Sequence, residues 1–201
     1  MRQQSPLMDP ETLDDAEIIA RSREDPEGFA VLFTRHAPAL KRYAVRRLGA
    51  EAAEDVVAET FVAAFRQRAR YDLTRPDARP WLYGIATNLI GRHRRGEIAL
   101  YRALARTGVD PVTEPFTDGV ESRVDASGAR AALAGALARL PAGHRDVLLL
   151  VTWGGLGYEE AAAALGVPVG TVRSRMNRAR EKLRRSLRDI DPTTTYEEHG
   201  S

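Results

Sequence analysis

The 201-residue sequence contains no cysteine, which excludes disulfide bridges, thiolate metal sites and cysteine nucleophiles. It also lacks any apolar run approaching the roughly 20 residues that a helix needs to cross a bilayer, so no membrane insertion is expected. The start, from Met1 to Glu17, is polar and acidic, unlike an export signal, in which a basic segment precedes an apolar one. We therefore expect a cytoplasmic protein that carries no redox switch of its own.

Enzymatic chemistry also finds little support in the residues. The histidines, at positions 36, 93, 144 and 199, do not have metal-ligand spacing, and no glycine-rich phosphate loop is present. Glu159 and Glu160 stand at a predicted helix start, where acidic residues are common. We therefore expect neither an enzyme nor a bound cofactor or metal.

Charge is unevenly distributed along the chain, although the formal net charge is only +2. Acidic residues crowd the first 17 positions, whereas basic residues crowd the segment from Arg173 to Arg188. This asymmetry indicates a polyanionic partner for the C-terminal part of the chain.

The apolar spacing predicts an all-α fold. Apolar residues recur at intervals of three and four nearly throughout, and no stretch alternates as a half-buried strand would. Between residues 107 and 127, glycine, proline and acidic residues replace this pattern, which predicts a flexible acidic linker. Two small helical domains are therefore predicted, at 13–106 and 128–188, and a disordered tail is expected at 189–201.

Helical segments within the domains are predicted from capping residues and from the apolar spacing. The first begins at the Asp25-Pro26 pair, bends at Pro38 and includes Phe33 in its buried face. The others are predicted at about 51–69, from 77–80 to 92, and at 129–140, 144–153, 158–165 and 169–187.

The last two predicted helices have the pattern of a helix-turn-helix, with Gly166 at the left-handed position that ends the first of them. In the second, Val172, Met176 and Ala179 form the predicted buried stripe. The opposite side carries groups that read guanine and adenine, although an arginine-rich face can also be plain solvated surface. The candidate DNA-binding residues are Arg173, Ser174, Asn177 and Arg178, with Arg175 near the walls of the groove.

Three segments of the C-terminal part carry a resemblance to a known family: 140–150 (LPAGHRDVLLL), 157–162 (GYEEAA) and 170–175 (GTVRSR). Together they resemble region 4 of bacterial RNA polymerase sigma factors. The resemblance implies binding to the −35 promoter element and to the flap of the polymerase β subunit. It also implies that Arg173, Ser174 and Asn177 occupy the base-reading positions.

Three carboxylates in the predicted second helix, Glu51, Asp55 and Glu59, are spaced at four-residue intervals. Like charges at this spacing destabilise an isolated helix by about 0.2–0.5 kcal/mol per pair. A basic protein partner explains the arrangement, and so does an ordinary solvated acidic face. The segment 53–61 (AEDVVAETF) resembles sigma region 2.2, which implies that this face docks on the clamp helices of the polymerase β′ subunit.

The segment 81–90 (WLYGIATNLI) and the basic run after it resemble sigma regions 2.3 and 2.4, which handle the −10 element. A pocket beside arginines can hold an unstacked base while the cations hold the backbone. On the residues alone, Tyr71 could anchor a loop, Ile85 could belong to the core and Asn88 could be a surface residue. By resemblance, the −10 site consists of Tyr71, Ile85 and Asn88, which line the base pocket, and of Arg92, Arg94 and Arg95.

Both motif blocks stand in the expected order, and the chain has no room for the region 3 domain of larger sigma factors. It therefore resembles the extracytoplasmic-function (ECF) group of sigma-70 factors. The resemblance implies core RNA polymerase, promoter DNA and an anti-sigma factor as partners, and promoter-specific initiation as the function. The competing hypothesis is a stand-alone helix-turn-helix regulator, which would bind duplex DNA without polymerase.

Overall fold

The computed structural model describes residues 13–107 and 120–188 of the chain. These residues form α-helices and two short 3-10 helices, Pro26–Phe29 and Arg68–Arg70, and contain no strand. The all-α prediction is therefore confirmed. The helices are α1 Asp15–Arg21, α2 Ala30–Leu48, α3 Ala50–Gln67, α4 Arg79–Arg92, α5 Arg94–Thr107, α6 Val120–Arg139, α7 Ala142–Thr152, α8 Tyr158–Leu165 and α9 Val169–Arg188.

Helices α1–α5 form the first domain, and its centre is the packing of α2 against α3. Gly49 joins these helices at φ +84°, a left-handed conformation that favours glycine. Leu32, Leu40, Ala53 and Val56 are completely or almost completely buried between the helices. The apolar spacing therefore predicted correctly which faces of α2 and α3 form the core of the first domain.

Asp15 holds α1 to the rest of the first domain. Its carboxylate accepts hydrogen bonds from Arg35 Nη1 at 2.6 Å and from the backbone N–H of Ala78 at 2.8 Å, and it lies 2.8 Å from His36 Nε2. Burial alone would raise the pKa of Asp15, but the hydrogen bonds from His36 and Ala78 outweigh burial and lower it. The charged carboxylate therefore fixes the start of α4 relative to α1 and α2.

Helices α6–α9 form the second domain, and the two domains lie against each other. Helix α5 packs on α6 and α4 packs on α8. Buried apolar side chains of both domains, such as Ile90 and Leu150, belong to one continuous core. The sequence predicted a flexible connection between two separate domains. It gave no indication that the domains pack closely against each other.

Several details differ from the sequence predictions. Helices α1 and α5 were not predicted, and α2 continues through Pro38. Helix α6 begins at Val120, inside the segment that was predicted as a linker, where no proline interrupts the chain between Pro115 and Pro141. The rest of that linker, 108–119, and the tail predicted at 189–201 lie outside the described residues.

Candidate nucleic-acid and protein interfaces

The helix-turn-helix of the second domain is formed by α8 and α9. Gly166 ends α8 at φ +62° and ψ +36°, in the left-handed region. The N–H of Val167 donates to the carbonyl of Ala162 over 3.1 Å, which closes the last turn of α8. The glycine-centred turn predicted from the sequence is therefore confirmed.

Helix α9 separates an apolar side from a polar side. The side chains of Val172, Met176 and Ala179 are completely buried, as predicted. Their burial turns the opposite side of α9 outward, where hydrogen-bonding groups are accessible to the edges of DNA bases. The residues predicted on that side are all exposed: Arg173, Ser174, Asn177 and Arg178. Their contact with DNA stays a prediction.

Two of the candidate arginines of α9 contact other helices of the second domain. Arg173 Nη2 lies 3.7 Å from Glu159 Oε1 of α8, and both side chains are largely exposed, so a DNA phosphate or base can replace this weak pair. Arg175 is half-buried, because its guanidinium lies over Gly143 at the start of α7. A Cβ added at Gly143 would lie 3.1 Å from Arg175 Nη1. Arg175 is therefore held closer to the domain surface than the other candidate residues.

Positive charge gathers at the N-terminal end of α7. Burial and the neighbouring cations Lys182, Arg175 and Arg178 lower the pKa of His144, so its imidazole is neutral at pH 7. The N-terminal end of a helix adds a partial positive charge at the same place. A phosphate group is electrostatically favoured beside this end of α7.

The acidic face of α3 is present as predicted. Glu51, Asp55 and Glu59 are exposed. Glu59 Oε2 lies 3.7 Å from Arg92 Nη1 of α4, which reduces the repulsion along the face. The pair therefore links Glu59, which is predicted to contact core polymerase, with Arg92, which is predicted to bind the −10 element.

An apolar groove lies beside this acidic face, between α2 and α3, with a volume of about 560 Å³. Phe33, predicted in the core, is 48% exposed there, and Val62 on α3 is 49% exposed. The ring of Phe33 packs edge-to-face against the ring of Phe61, with the two centroids 4.9 Å apart. Periodicity predicted Phe33 in the core, but it did not reveal that no further helix within residues 13–107 and 120–188 covers this position.

Tyr71 is buried at the start of the loop before α4. Its hydroxyl donates to the carbonyl oxygens of Arg75 at 2.8 Å and Asp77 at 3.2 Å, which makes it an anchor of this loop. Burial and then the negative charges of Asp15 and Asp77 raise the pKa of Tyr71 to about 12, so the hydroxyl remains a donor at neutral pH. Its ring packs against Trp81 with centroids 4.8 Å apart.

The predicted −10 residues differ in burial and in their surroundings. Tyr71 and Trp81 line a cavity of about 200 Å³, whose walls also include Ala163 of α8, but neither Ile85 nor Asn88 lines it. Ile85 is half-buried against the core, whereas Asn88 is exposed. The basic residues Arg92, Arg94 and Arg95 are exposed beyond Asn88, at the junction of α4 and α5. Base contact by these residues stays a prediction.

No group of three or more histidine, aspartate or glutamate residues is placed to hold a metal ion in residues 13–107 and 120–188. Within the same ranges, no helix has the length and apolar character required to cross a membrane.

Two protein-family profiles match the chain, one in each domain. Residues 32–97 match the family described as Sigma-70 region 2. Residues 130–183 match the family described as Sigma-70, region 4. The two matches occur in the order in which the sequence motifs stand.

The chain is also similar to characterised proteins over most of its length. It is 36% identical over 165 residues to the ECF RNA polymerase sigma factor SigL of Mycobacterium tuberculosis, which covers 81% of this chain and 90% of SigL. It is 32% identical over 173 residues to the ECF RNA polymerase sigma factor SigW of Bacillus subtilis, covering 83% of this chain and 92% of SigW. It is 33% identical over 200 residues to the RNA polymerase sigma factor CnrH of Cupriavidus metallidurans, covering 92% and 98%.

Two solved structures are similar to the fold. The structure of CnrH in complex with the cytosolic domain of CnrY has a TM-score of 0.60 and 31% identity, and covers 88% of this chain and 98% of CnrH. The sigma factor RpoE in complex with the anti-sigma factor NepR from Bartonella quintana has a TM-score of 0.55 and 26% identity, and covers 80% and 96%. Both sigma-70 regions match in chain order, and the relatives are more than 30% identical over most of both chains. The chain therefore belongs to the ECF subfamily of the sigma-70 RNA polymerase sigma factors.

Proposed function

We propose that this sigma factor binds core RNA polymerase, directs it to promoters by reading the −35 element with α9 and the −10 element with α4 and α5, and assists DNA opening. The observation that carries the proposal is the side of α9 opposite its buried stripe, which is polar and cationic and follows a helix-turn-helix. A helix of this kind enters the major groove with its first turns.

The −35 contacts are assigned by exposure and chemistry. Arg173 and Asn177 stand one turn apart on the exposed side of α9, where an arginine can pair with guanine and an asparagine with adenine. Arg178 and Arg175 approach the phosphates with the positive end of α7, and Ser174 serves a base or a phosphate. The second domain, proposed at 128–188, also binds the β flap.

The −10 contacts are assigned to the exposed end of α4. Asn88 can donate to and accept from the edge of an unstacked base, and the arginines after it hold the backbone. Tyr71 acts on the same element by fixing the loop before α4, since its hydroxyl bonds to that loop. The first domain, proposed at 13–106, carries this activity.

Docking to the β′ clamp helices is assigned to the acidic face and the groove beside it. Carboxylates at 51, 55 and 59 attract a basic helix, and the exposed ring of Phe33 offers it apolar surface. Together they combine charge complementarity with an aromatic anchor, which supports a protein interface more strongly than the charges do alone.

An anti-sigma factor is proposed as a further partner, because the solved RpoE is bound to the anti-sigma factor NepR. The chain acts without catalytic residues of its own, and its working compartment is the cytoplasm, where core polymerase resides.

The proposal is tested by transcription in vitro on sheared genomic DNA of the encoding organism, followed by sequencing of RNA 5′ ends. Core polymerase with the chain should start transcripts at a set of sites that share two upstream motifs, and core polymerase alone should not. The chain alone should bind the same fragments weakly. Tight sequence-specific binding by the chain alone, without new start sites, would support the stand-alone regulator.

A further inference from the structure

A cavity of about 420 Å³ lies where α5 of the first domain packs on α6 of the second domain. Three arginines and three small residues line it: Arg102, Arg106, Arg139, Ala105, Gly135 and Ala138. Its volume is within the range of about 300–1,000 Å³ that is usual for small-molecule sites. It shares no residue with the apolar groove between α2 and α3 or with the cavity beside Tyr71.

The floor of the cavity consists of small side chains. A Cβ built at Gly135 would lie 3.5 Å from the Cβ of Ala105, so α5 and α6 are in van der Waals contact here. The same position would lie 3.9 Å from Nη1 and 4.0 Å from Nη2 of Arg139, so this guanidinium lies over Gly135. Because no larger side chain lies beneath the arginines, the space between them is open to a ligand.

The three arginines are exposed, and within residues 13–107 and 120–188 their side chains form no hydrogen bond or ion pair. Arg102 and Arg106 stand four positions apart on α5, a spacing at which like charges on a helix repel each other. Arg139 adds a third cation from α6. The cavity therefore concentrates positive charge that nothing in the described part of the chain neutralises.

The acidic residues between the two domains are already paired with other arginines. Arg47 Nε lies 2.6 Å from Glu97 Oε1, and Arg47 Nη2 lies 2.6 Å from Asp146 Oδ1. Glu97 Oε2 also lies 3.0 Å from Arg145 Nη2. These carboxylates are therefore not available to the arginines of the cavity.

Position at a helix end explains only part of this arrangement. Arg106 and Arg139 stand in the last turns of α5 and α6, where a cation is favoured by the partial negative charge of the helix end. This effect does not account for Arg102, or for the convergence of arginines from two domains on one cavity. A guanidinium presents a planar fork of donors that matches two oxygens of a phosphate group.

We propose that the cavity binds a compact anion with two or more phosphate groups, either free or carried by a nucleotide. Arg102 and Arg106 hold it from α5, and Arg139 holds it from α6. A single phosphate group carries a charge of about −1.5 to −2 at pH 7, so it neutralises only part of the three cations. A diphosphate or triphosphate group matches their charge. The inference goes beyond the proposed function, since it requires neither DNA nor polymerase.

Isothermal titration calorimetry of the full chain with inorganic tripolyphosphate tests the site, at constant ionic strength and without divalent cations. Inorganic phosphate should bind about tenfold more weakly than tripolyphosphate, or not at all. The double variant Arg102→Gln/Arg106→Gln should weaken tripolyphosphate binding by about tenfold or more, since it removes two charge-assisted contacts. Arg139→Gln should also weaken it, because the anion contacts both helices.

The matched control removes the same charge elsewhere. Arg21 and Arg66 are exposed and do not line the cavity, so Arg21→Gln/Arg66→Gln should leave the affinity for tripolyphosphate unchanged. Circular dichroism shows whether each variant folds. Thermal unfolding gives a second readout, because a ligand that binds the folded chain raises its Tm, and this rise should be lost in the cavity variants alone.

Titration with ATP distinguishes the two sources of the phosphate groups. Tighter binding of ATP than of tripolyphosphate would identify a nucleotide as the ligand, and equal or weaker binding would identify a free polyphosphate. Absence of binding of both anions to the parent protein would overturn the inference, as would equal affinity of the parent protein and the cavity variants. A loss confined to Arg173→Gln/Arg178→Gln would place the anion on α9 and would also overturn it. The proposed function is judged separately, by the start-site mapping.

Discussion

Glu97 of α5 and Arg145 of α7 form an ion pair between the two domains, with Oε2 3.0 Å from Nη2 and both side chains almost completely buried. Arg145 also donates to the carbonyl oxygens of Leu137 and Leu140, which end α6. One arginine therefore holds a helix end within its own domain and an acidic residue of the other domain.

Replacing Glu97 with glutamine should destabilise the protein strongly. The change leaves Arg47 and Arg145 buried with one carboxylate fewer, and the loss of one partner from a buried ion pair costs about 3–5 kcal/mol. The free energy of unfolding in urea measures the effect. Glu54→Gln is the matched control, because Glu54 pairs with Lys41 on the exposed surface and should give almost no change.

Asp15 should give the first domain a pH-dependent stability. Its pKa is lowered in the folded protein, so its contribution is complete above the unfolded pKa of about 3.9 and is lost as the pH falls through the lower folded pKa. Asp15→Asn should cost about 1.5–3 kcal/mol at pH 7, and the difference from the parent protein should shrink below about pH 4. Urea unfolding at pH 7 and pH 3 checks this. Asp55 is exposed on α3, so Asp55→Asn should cost almost nothing at pH 7.

Reversal of charge on the acidic face should weaken assembly with core polymerase. Asp55→Lys/Glu59→Lys replaces attraction for a basic helix with repulsion, while the helix itself stays solvated. Core binding followed by fluorescence anisotropy should show at least a tenfold loss, with unchanged circular dichroism. Glu24→Lys/Glu27→Lys makes the same charge change on exposed residues before α2 and should bind core normally. Equal losses of core binding in the two double variants would show that the effect comes from net charge and not from the acidic face of α3.

Arg173 and Arg184 should contribute to promoter binding in different ways. Arg173 is near the start of α9 on its exposed side, so Arg173→Ala should cost about 1–3 kcal/mol on the preferred −35 sequence and reduce discrimination among base variants. Arg184 lies three turns farther along, so Arg184→Ala should cost less, equally on all sequences, with a shallower salt dependence. Holoenzyme binding to −35 variants at several salt concentrations separates the two. A uniform loss for Arg173→Ala would show contact with phosphate alone.

The sequence predicted most of the features that depend on residues close together in the chain. Apolar spacing identified the main helices, and Gly166 with the stripe of Val172 and Met176 identified the helix-turn-helix and the exposed side of α9. These features depend on residues a few positions apart, which a sequence pattern records directly.

The features that were missed depend on distant parts of the chain. Arg47 and Asp146 are 99 positions apart, and nothing in the spacing around either residue indicates the other. Phe33 has the spacing of a core residue, yet no other helix in the described part of the chain covers its ring. For Tyr71, the sequence left a loop anchor and a base-pocket residue as alternatives, and its hydroxyl bonds to the loop before α4 show the anchor.

The central claim, that this chain opens promoters together with core polymerase, is tested most directly by permanganate footprinting on a promoter found by start-site mapping. Thymines of the −10 element should become reactive only when core polymerase and the chain are both present, because the unstacked bases are held by the two together. Asn88→Ala should reduce this reactivity while binding through the −35 element persists. Duplex binding without reactive thymines, or reactivity that is equal without the chain, would contradict the account.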